Sequence, residues 1–427
     1  MSWRERRFAV AAALPLLAVL TSPPVRAQEV FPLADDTVLA GLLSEALARS
    51  PELHVTQEAL TAARARVRPA GALADPMVTV TYQNGGRGWS PGSDEDTGVG
   101  MAVSQTLPFA GKRRLAESIE EKEALRAAHQ LGRARLSLVY RVRLAYASLL
   151  LARENLALIA DQKRATQDIE ALTRSRYAVG LAGQSDVLRS QAELARLDQM
   201  RLHEAGLETS AVAGLNRLLD RPAGTPVPRG VPLTSVGEAA IRVPSVAEVL
   251  GRVEAMSPEI AASEAMVDRS QAALQLARRN TKPDFVAGAS YVNRGSLPGM
   301  FTIDVGVVVP LYKGRKQGRA IAEAEARLRG GEAERQAMRL RARAEAEKSL
   351  ADLTAAVGEA EAYAKGVLAI DALAVESATA SFRAGKTPFV TVLEAHNTLY
   401  RDRWQHAELL FHVLWHSARL DAWAMDE

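Results

Sequence analysis

Two histidines near the carboxyl end of the chain come nearest, by residue type and spacing, to a metal site. His412 and His416 are four residues apart, so on a helix their imidazoles share one face and could both ligate a cation. Two ligands do not make a site, and no glutamate follows His412 to supply the base of a His-Glu-x-x-His motif. Trp404, Trp415 and Trp423 in the same stretch favour a packed amphipathic helix, so we predict no metal centre.

Other catalytic or cofactor chemistry finds no support in the sequence. The chain has no cysteine, which excludes disulfides and thiolate ligands, and it has neither a Gly-x4-Gly-Lys-Ser/Thr loop nor a convincing GxGxxG. Its formal net charge of +3 is too close to balance for a nucleic-acid-binding protein. We therefore predict a protein that is not an enzyme, holds no cofactor and binds no nucleic acid.

The amino-terminal residues have the pattern of a cleavable signal peptide. Three arginines precede an apolar run from Phe8 to Leu20, and Val25-Arg26-Ala27 is typical of a cleavage site. The run is too short for a bilayer-spanning helix, although an N-terminal anchor helix is the alternative. No later segment has the roughly 18 uninterrupted apolar residues that indicate a membrane helix. We expect an exported protein whose mature chain begins near Gln28.

The mature chain contains an internal repeat with an offset of roughly 205 residues. Tyr177-Ala178-Val179-Gly180 recurs as Phe382-Arg383-Ala384-Gly385, and the segments that follow recur in the same order. Between the halves, five prolines together with Gly224 and Gly230 predict an extended linker without regular helix. The predicted organisation is a signal peptide at 1–27, a first repeat at 28–220, a linker at 221–244 and a second repeat at 245–427.

Each repeat is predicted to contain one very long helix. The stretch from Lys112 to Ala178 has no proline and is rich in good helix formers, which predicts a helix of about 100 Å. The second helix is predicted from Gln317 to Ala384, where Gly330, Gly331, Gly358 and Gly366 are expected to weaken or bend it. A simple two-stranded coiled coil is the alternative packing. Apolar residues at spacings of three, four and seven predict a packing seam at Val139, Val142, Tyr146, Leu149, Leu156 and Ile159.

Four short segments alternate with period two, as strands with two different faces do. They run from Met77 to Gln83, Gly98 to Leu107, Phe285 to Val292 and Phe301 to Val309, which are lengths that suit tilted membrane strands. The connections, Asn84 to Asp96 and Asn293 to Met300, are rich in turn residues and predict exposed loops. Two hairpins cannot close a barrel, so a membrane sheet requires several copies of the chain. A soluble sheet with one face packed on the helices is the alternative.

The repeat, the Val179-Gly180-Leu181 turn and the segment from Gln105 to Arg113, which reads QTLPFAGKR, together resemble the TolC-like outer-membrane factors. The last motif is most similar to the heavy-metal branch typified by CzcC and CusC. The resemblance implies a mostly α fold with transmembrane β-structure. Three subunits would share a 12-stranded outer-membrane barrel, continued by a long periplasmic α-helical barrel. It also implies three kinds of partner, namely outer-membrane lipid, a periplasmic adaptor and an inner-membrane pump of the resistance-nodulation-division type.

Two turns between helices would then lie at the periplasmic tip, where the family meets its adaptor. Glycines at these turns permit tight backbone, and an exposed Leu181 could dock in a partner groove. The second turn departs from the Val-Gly-Leu pattern, since it reads Ala384-Gly385-Lys386. Helix capping is the alternative role for all of these residues. The proposed adaptor contacts are Val179, Gly180, Leu181, Gly183, Gly385 and Lys386.

Some family members close the tip with a ring of acidic side chains, and the resemblance places those positions on Thr391 and Glu394. Three copies of Glu394 around a narrow axis would attract cations, although a solvated helix-face glutamate is the alternative. Asp186 is a second candidate for the gate or lumen, or it caps its helix. Asp304 is predicted to face the lumen from its strand.

The favoured function is a passive exit duct of a tripartite efflux system, for heavy-metal cations. Multidrug efflux and type I secretion are the alternatives within the family, and a soluble periplasmic coiled-coil adaptor is the alternative from another class. The metal assignment rests on the resemblance alone, because the sequence has no cysteine and no methionine cluster that would form a path for soft metals.

Overall fold

The computed structural model describes residues 30–33, 35–85, 96–238 and 241–424, so the predicted signal peptide lies outside the described residues. The first half contains four helices and two strands. Their order is α1 (Thr37–Arg49), α2 (Pro51–Gly71), β1 (Met77–Gln83), β2 (Gly98–Leu107), α3 (Lys112–Ala178) and α4 (Gln184–Leu218). None of the helices in the described ranges is both long enough and apolar enough to cross a membrane.

The second half follows a similar order with an interrupted long helix. Its elements are α5 (Thr234–Glu238), α6 (Val246–Met256), α7 (Pro258–Arg279), β3 (Asp284–Arg294), β4 (Leu297–Val308), a π-helical turn (Lys313–Gln317), α8 (Gly318–Ala362), a second π-helical turn (Tyr363–Val367), α9 (Leu368–Arg383) and α10 (Phe389–Ala424). The division of the chain into two repeats and a linker stays a prediction.

The predicted helix from Lys112 to Ala178 is confirmed as α3. It begins after Gly111, whose φ of 90° is a left-handed conformation that glycine adopts without steric cost. The alternative of a two-stranded coiled coil is wrong, because α3 packs against α2, α4, α7 and α10 along its length. In the predicted seam Val142, Tyr146, Leu149 and Ile159 are buried, whereas Val139 and Leu156 are partly buried.

The second predicted long helix is corrected in one respect. The chain is helical from Gly318 to Arg383, but the turn Tyr363–Val367 is π-helical and separates α8 from α9. A π-turn widens the helix to accommodate an extra residue, and Gly366 lies within it. The other three glycines do not interrupt α8.

The linker is also corrected, because it contains the short helix α5. Pro232 precedes this helix, and its carbonyl accepts hydrogen bonds from the backbone and the hydroxyl of Ser235. Leu233 and Val236, three residues apart, are both buried in the main core. Burial of this apolar pair favours one helical turn in a segment whose prolines oppose a longer helix.

The four strands form one antiparallel sheet in the order β1-β2-β3-β4. The predicted first two strands are confirmed, and the other two are longer than predicted. The predicted loop from Asn293 to Met300 is wrong, because β3 continues to Arg294 and β4 begins at Leu297. A tight turn at Gly295, where φ is 65°, replaces the loop. In the other connection, residues 86–95 lie outside the described residues.

A buried ion pair ties the two ends of the described chain to its central helix. Arg143 of α3 donates to Asp421 of α10 at 3.0 Å, and both side chains are at most 2% exposed. The same carboxylate accepts the backbone N–H groups of Val30 and Phe31, each at 3.1 Å. The Arg143 guanidinium also lies 4.6 Å from the centre of the Phe31 ring. Three separate segments therefore depend on one carboxylate.

A second buried contact lies one helical turn further along α3. The Tyr146 hydroxyl donates to Asp36 at 2.5 Å, and Asp36 also accepts from the Val38 backbone at the start of α1. Burial, followed by the hydrogen bond to Asp36, raises the pKa of Tyr146, so the hydroxyl stays protonated as a donor. A Cβ atom on Gly230 would lie 1.9 Å from this hydroxyl, so only glycine fits at that position.

We expect Asp421→Asn to destabilise the protein by about 3–5 kcal/mol, because it removes the carboxylate charge that pairs with the buried Arg143 guanidinium. Thermal unfolding of the purified protein, followed by circular dichroism, measures the effect. The control is Asp198→Asn, which breaks a partly exposed pair with Lys163 and should leave Tm nearly unchanged. Equal Tm values for the two variants would contradict the structural role of Asp421.

Candidate functional site

One face of the sheet is apolar and exposed. Cross-strand neighbours on this face form rows such as Val78, Val103, Ala289 and Ile303. The next row on the same face ends on the aromatic residues Tyr291 and Phe301. Such side chains normally face a protein core, yet Val305 is 78% exposed and others on this face are also exposed. The exposed apolar residues are Val78, Val80, Val99, Met101, Val103, Leu107, Phe285, Tyr291, Phe301, Ile303, Val305 and Val307.

The opposite face carries mostly small and polar residues, although Met77, Val286, Val292, Met300 and Val308 also lie on it. A typical row across the sheet is Thr79, Ala102, Ser290 and Thr302, and Asp304 lies beside it opposite Gly288. In β1 and β4 nearly all residues are exposed on both faces. In β3, and in β2 from Gly98 to Ser104, the residues of this face are partly or fully buried, whereas their neighbours on the apolar face are exposed. This order is the reverse of that in a soluble protein, so the alternative of a sheet packed on helices by its apolar face is wrong.

The sheet is open within one chain. β2 and β3 each pair on both sides, whereas β1 and β4 each pair with one neighbour in the described part of the chain. Their outer edges present backbone N–H and C=O groups that another strand could pair with. An apolar surface with unpaired edges is unstable in water and in lipid alike, so this sheet requires further strands from other copies.

At the far end of the long helices, two turns have the same backbone geometry. Gly180 and Gly385 adopt φ values of 76° and 75°, and each follows the end of its helix. The N–H of Leu181 donates to the Arg176 carbonyl at 2.8 Å, and that of Lys386 donates to the Ser381 carbonyl at 2.9 Å. These are Schellman motifs, so both glycines satisfy the capping role that was the alternative for them.

A small core holds the two turns together. Phe382 and Phe389 pack edge to face at 6.3 Å between ring centres, together with Ile169 and Val392. Arg176 of α3 donates to the carbonyl of Phe382 and lies 4.7 Å from the centre of that ring. Arg176 was not predicted from the sequence, although an arginine in the last turn of a helix is a known partner for free carbonyls. The two tips therefore pack together as one unit.

The candidate adaptor contacts lie on the surface of this unit. Val179 and Leu181 are each 68% exposed, and Lys386 is also exposed. Gly183 is the N-cap of α4, where its N–H donates to Asp186 at 3.3 Å. Asp186 therefore caps α4, as the alternative interpretation had it.

Thr391 and Glu394 lie on the first two turns of α10, three residues apart on one face, and both are exposed. Nearby, burial and then Arg403 lower the pKa of His396, so this imidazole adds no positive charge beside Glu394 at neutral pH. Asp186 lies on the first turn of α4, at the tip, whereas Asp304 lies on β4, in the sheet at the other end of the long helices.

His412 and His416 pack as parts of α10. Their rings stack at 6.2 Å, His416 also stacks on Trp415 at 5.1 Å, and Trp415 donates to the Tyr140 hydroxyl at 2.9 Å. Trp404 packs against the main core, whereas the side chain of Trp423 lies outside the described side chains. Among the described residues, no group of three or more potential ligands could hold a metal ion.

A long helical body, a sheet with an exposed apolar face and a capped helical tip define a class of protein, the outer-membrane channels. The chain belongs to the outer membrane efflux protein family, whose model matches residues 42–220 and 249–423. A curated relative is outer membrane protein TolC of Vibrio cholerae serotype O1, which is 23% identical over 376 residues, 85% of this chain and 84% of that protein.

Solved structures support the same fold. CusC superposes with a TM-score of 0.78 over 91% of this chain and 92% of its own, at 18% identity. VceC from Vibrio cholerae gives 0.76 over 91% and 97% at 19% identity. MtrE of Neisseria gonorrhoeae, in its open state, gives 0.75 over 91% and 89% at 18% identity. The predicted fold class, a helical barrel continuous with a β-barrel, is confirmed.

Family membership settles three further questions. The protein is an efflux channel component of the outer membrane, so the interpretation as a soluble periplasmic adaptor is wrong. It is not an enzyme, because channels of this family are passive. The suspected relationship to TolC-like outer-membrane factors is confirmed, and the match does not distinguish one branch of the family from another.

Proposed function

We propose that this chain forms the exit duct of a tripartite system that exports heavy-metal cations. The observation that supports the duct is the inverted sheet, whose apolar face is exposed and whose opposite, mostly small and polar face is partly buried in β3 and in most of β2. A closed ring of such sheets places the apolar face against lipid and encloses a wet lumen, with Asp304 on the lumen side. The metal cargo is supported by the similarity of the segment from Gln105 to Arg113 to the heavy-metal branch.

The assembly is a homotrimer in which each sheet contributes four of twelve strands. Exposed apolar residues on the helices support contact between copies. Leu188 and Leu202 project from α4, and Ile370 and Leu373 project from α9, each more than half exposed. In one chain α4 packs against α3 and α9 packs against α10. Contact of α4 with α9 of the next copy buries both sets and generates a closed ring.

The tip docks on a periplasmic adaptor, which links the duct to an inner-membrane proton-driven pump. Leu181 and Val179 supply apolar contacts, Lys386 supplies a charge, and the Schellman turns at Gly180 and Gly385 hold these residues in place, with Gly183 beginning α4. Exposed apolar residues on a rigid turn bind a partner with little loss of conformational entropy.

Glu394 and Thr391 line the narrow end of the duct in this assembly. Three Glu394 carboxylates around one axis produce a negative potential that favours cations over anions. Asp186 contributes at most a weaker field here, because its carboxylate caps α4.

Deletion of the gene tests the cargo. We expect greater growth inhibition by copper, silver, zinc, cadmium or cobalt, which a plasmid copy of the gene should reverse, and unchanged inhibition by dyes and antibiotics. Sensitivity to dyes and antibiotics alone would support the assignment as an exit duct but would mean that the cargo is drugs rather than metals. Unchanged growth on both panels, with accumulation of a protein normally secreted, would favour type I secretion.

Cross-linking tests the contact between α4 and α9. The chain has no native cysteine, so Leu202→Cys with Ile370→Cys introduces the sole reactive pair. Leu202 lies about 27 Å from the start of α4, and Ile370 about 20 Å from the end of α9, at 1.5 Å per residue. A long bis-maleimide should give covalent trimers from the double variant. Dimers or trimers from either single variant at the same yield would contradict this interface.

Leu181→Asp tests the adaptor contact. Because Leu181 is already exposed, the substitution should leave trimer formation unchanged, while co-purification with the adaptor and metal resistance fall at least tenfold, about 1.4 kcal/mol of binding. Val55→Asp, at an equally exposed apolar position on α2, is the matched control. Equal losses in both variants would contradict a specific role for the tip.

Glu394→Gln tests the selectivity of the narrow end. We expect a lower ratio of potassium to chloride permeability in planar bilayers, because the substitution removes three negative charges from one ring. Glu359→Gln, at an exposed position on α8, is the control with the same loss of charge. An unchanged permeability ratio in Glu394→Gln would contradict this role and indicate that Glu394 is only a solvated side chain.

A further inference from the structure

Positive charge is concentrated where the strands join the helices. Three segments at the bases of β2, β3 and β4, residues 112–114, 278–282 and 313–319, together contain ten lysines and arginines and no aspartate or glutamate. All of these side chains except that of Lys112 are exposed. We call the ten cations the basic belt. Carboxylates next to it are Asp75 before β1 and Asp284 at the start of β3.

Few members of the basic belt have a charged partner within the chain. Lys112 pairs with Asp284 at 2.8 Å, and Arg278 pairs with Glu325 at 2.9 Å. Arg113 donates instead to the carbonyl of Gly71. The other seven cations make no ion pair in the described part of the chain. A surface with this surplus of positive charge repels itself, so it is stabilised when anions bind.

The belt includes a concave site of its own. An open recess of about 680 Å³ lies between the start of α3 and the end of α7, and its charged lining consists of Arg114, Arg278, Arg279 and Lys282. Ser118 and Gln275 add neutral polar groups to the same wall. Guanidinium groups match the oxygens of a phosphate in pairs, and the serine and glutamine side chains can donate further hydrogen bonds.

Apolar and aromatic residues border the belt on the side of the sheet. Val309, Leu311 and Tyr312 follow β4 directly, and each is more than half exposed. Lys313, the first cation of the third segment, is the next residue. Along this segment, exposed aliphatic residues come first, a tyrosine follows, and lysine and arginine come last. At a membrane, such side chains contact the acyl chains, the interface and the headgroups, in that order.

We propose that the basic belt binds the headgroups of anionic phospholipids in the periplasmic leaflet of the outer membrane. This inference rests on the proposed placement of the sheet in the membrane, and it goes beyond that placement by assigning a lipid class to one surface. The alternation of apolar surface and unpaired cations favours a lipid over a free anion or an anionic polymer, because neither of those would cover Leu311 and Tyr312. A bound ring of lipid neutralises the belt and fixes the depth of the sheet.

The test uses the full-length protein in vesicles of phosphatidylethanolamine and phosphatidylglycerol in a ratio of four to one. After mild detergent extraction, mass spectrometry measures the ratio of the two lipids retained by the purified assembly. We expect phosphatidylglycerol to be enriched over its vesicle fraction, and the enrichment to fall as sodium chloride rises from about 0.1 to about 1 M, because the Debye length shrinks from about 10 to about 3 Å.

The belt variant is Arg315→Gln, Lys316→Gln and Arg319→Gln together. Its matched control is Arg341→Gln, Arg343→Gln and Lys348→Gln, which removes the same residue types from exposed, unpaired positions far along α8. We expect the belt variant to lower the enrichment at least about threefold and the control to leave it unchanged.

Three outcomes would overturn the proposal. Phosphatidylglycerol could show no enrichment in the wild type, or equal enrichment in both variants. The belt variant could instead lose binding to isolated peptidoglycan sacculi with an unchanged lipid ratio, which would assign the belt to that polymer. Channel conductance of the same preparation in pure phosphatidylethanolamine distinguishes failure of the proposal from failure of the duct, since a working channel without lipid enrichment overturns only the lipid assignment.

Discussion

Hydrogen bonding at the two edges of the sheet is the constraint on which the rest of the structure depends. In the described part of the chain β1 and β4 each pair on one side only, and the apolar side chains between them are exposed. Water does not favour that surface, and lipid does not tolerate the unpaired backbone groups. A single chain is therefore an incomplete unit, and the proposed ring of three copies satisfies both requirements at once.

The long helices connect the sheet with the tip over a distance of about 100 Å, at 1.5 Å per residue. α3 runs the whole length, and buried contacts attach other segments to it at several levels. Lys112 pairs with Asp284 beside the sheet, Arg143 pairs with Asp421 in the main core, and Arg176 holds Phe382 at the tip. Because each contact joins the first half of the chain to the second, the halves are positioned together, and a movement of one tip must involve the other.

Much of the candidate site could be predicted from the sequence, but only for residues whose role depends on their own backbone conformation. Gly180 and Gly385 were recognisable as turns, because glycine after a helix commonly adopts the left-handed conformation. Arg176 was missed, because its partner is a carbonyl roughly 200 residues away and no local pattern reveals such a contact. The π-helical turn at Tyr363–Val367 was anticipated only as a weak point near Gly366, since glycine lowers helix stability without specifying which irregular form results. The role of Asp186 was left open by the sequence, and the distance to Gly183 decided it.

The sequence by itself determined the element types, the bounds of α3, β1 and β2, and the two faces of the sheet, because period and composition are local properties of the chain. Only the tertiary structure decided which face is shielded, since alternation shows that two faces differ and says nothing about what covers them. It also decided the order β1-β2-β3-β4, the short turn at Gly295, the helix within the linker and the attachment of Asp421 to Val30, Phe31 and Arg143. Each of these depends on contacts between residues distant in sequence, whose pairing is set by the packing of the whole chain.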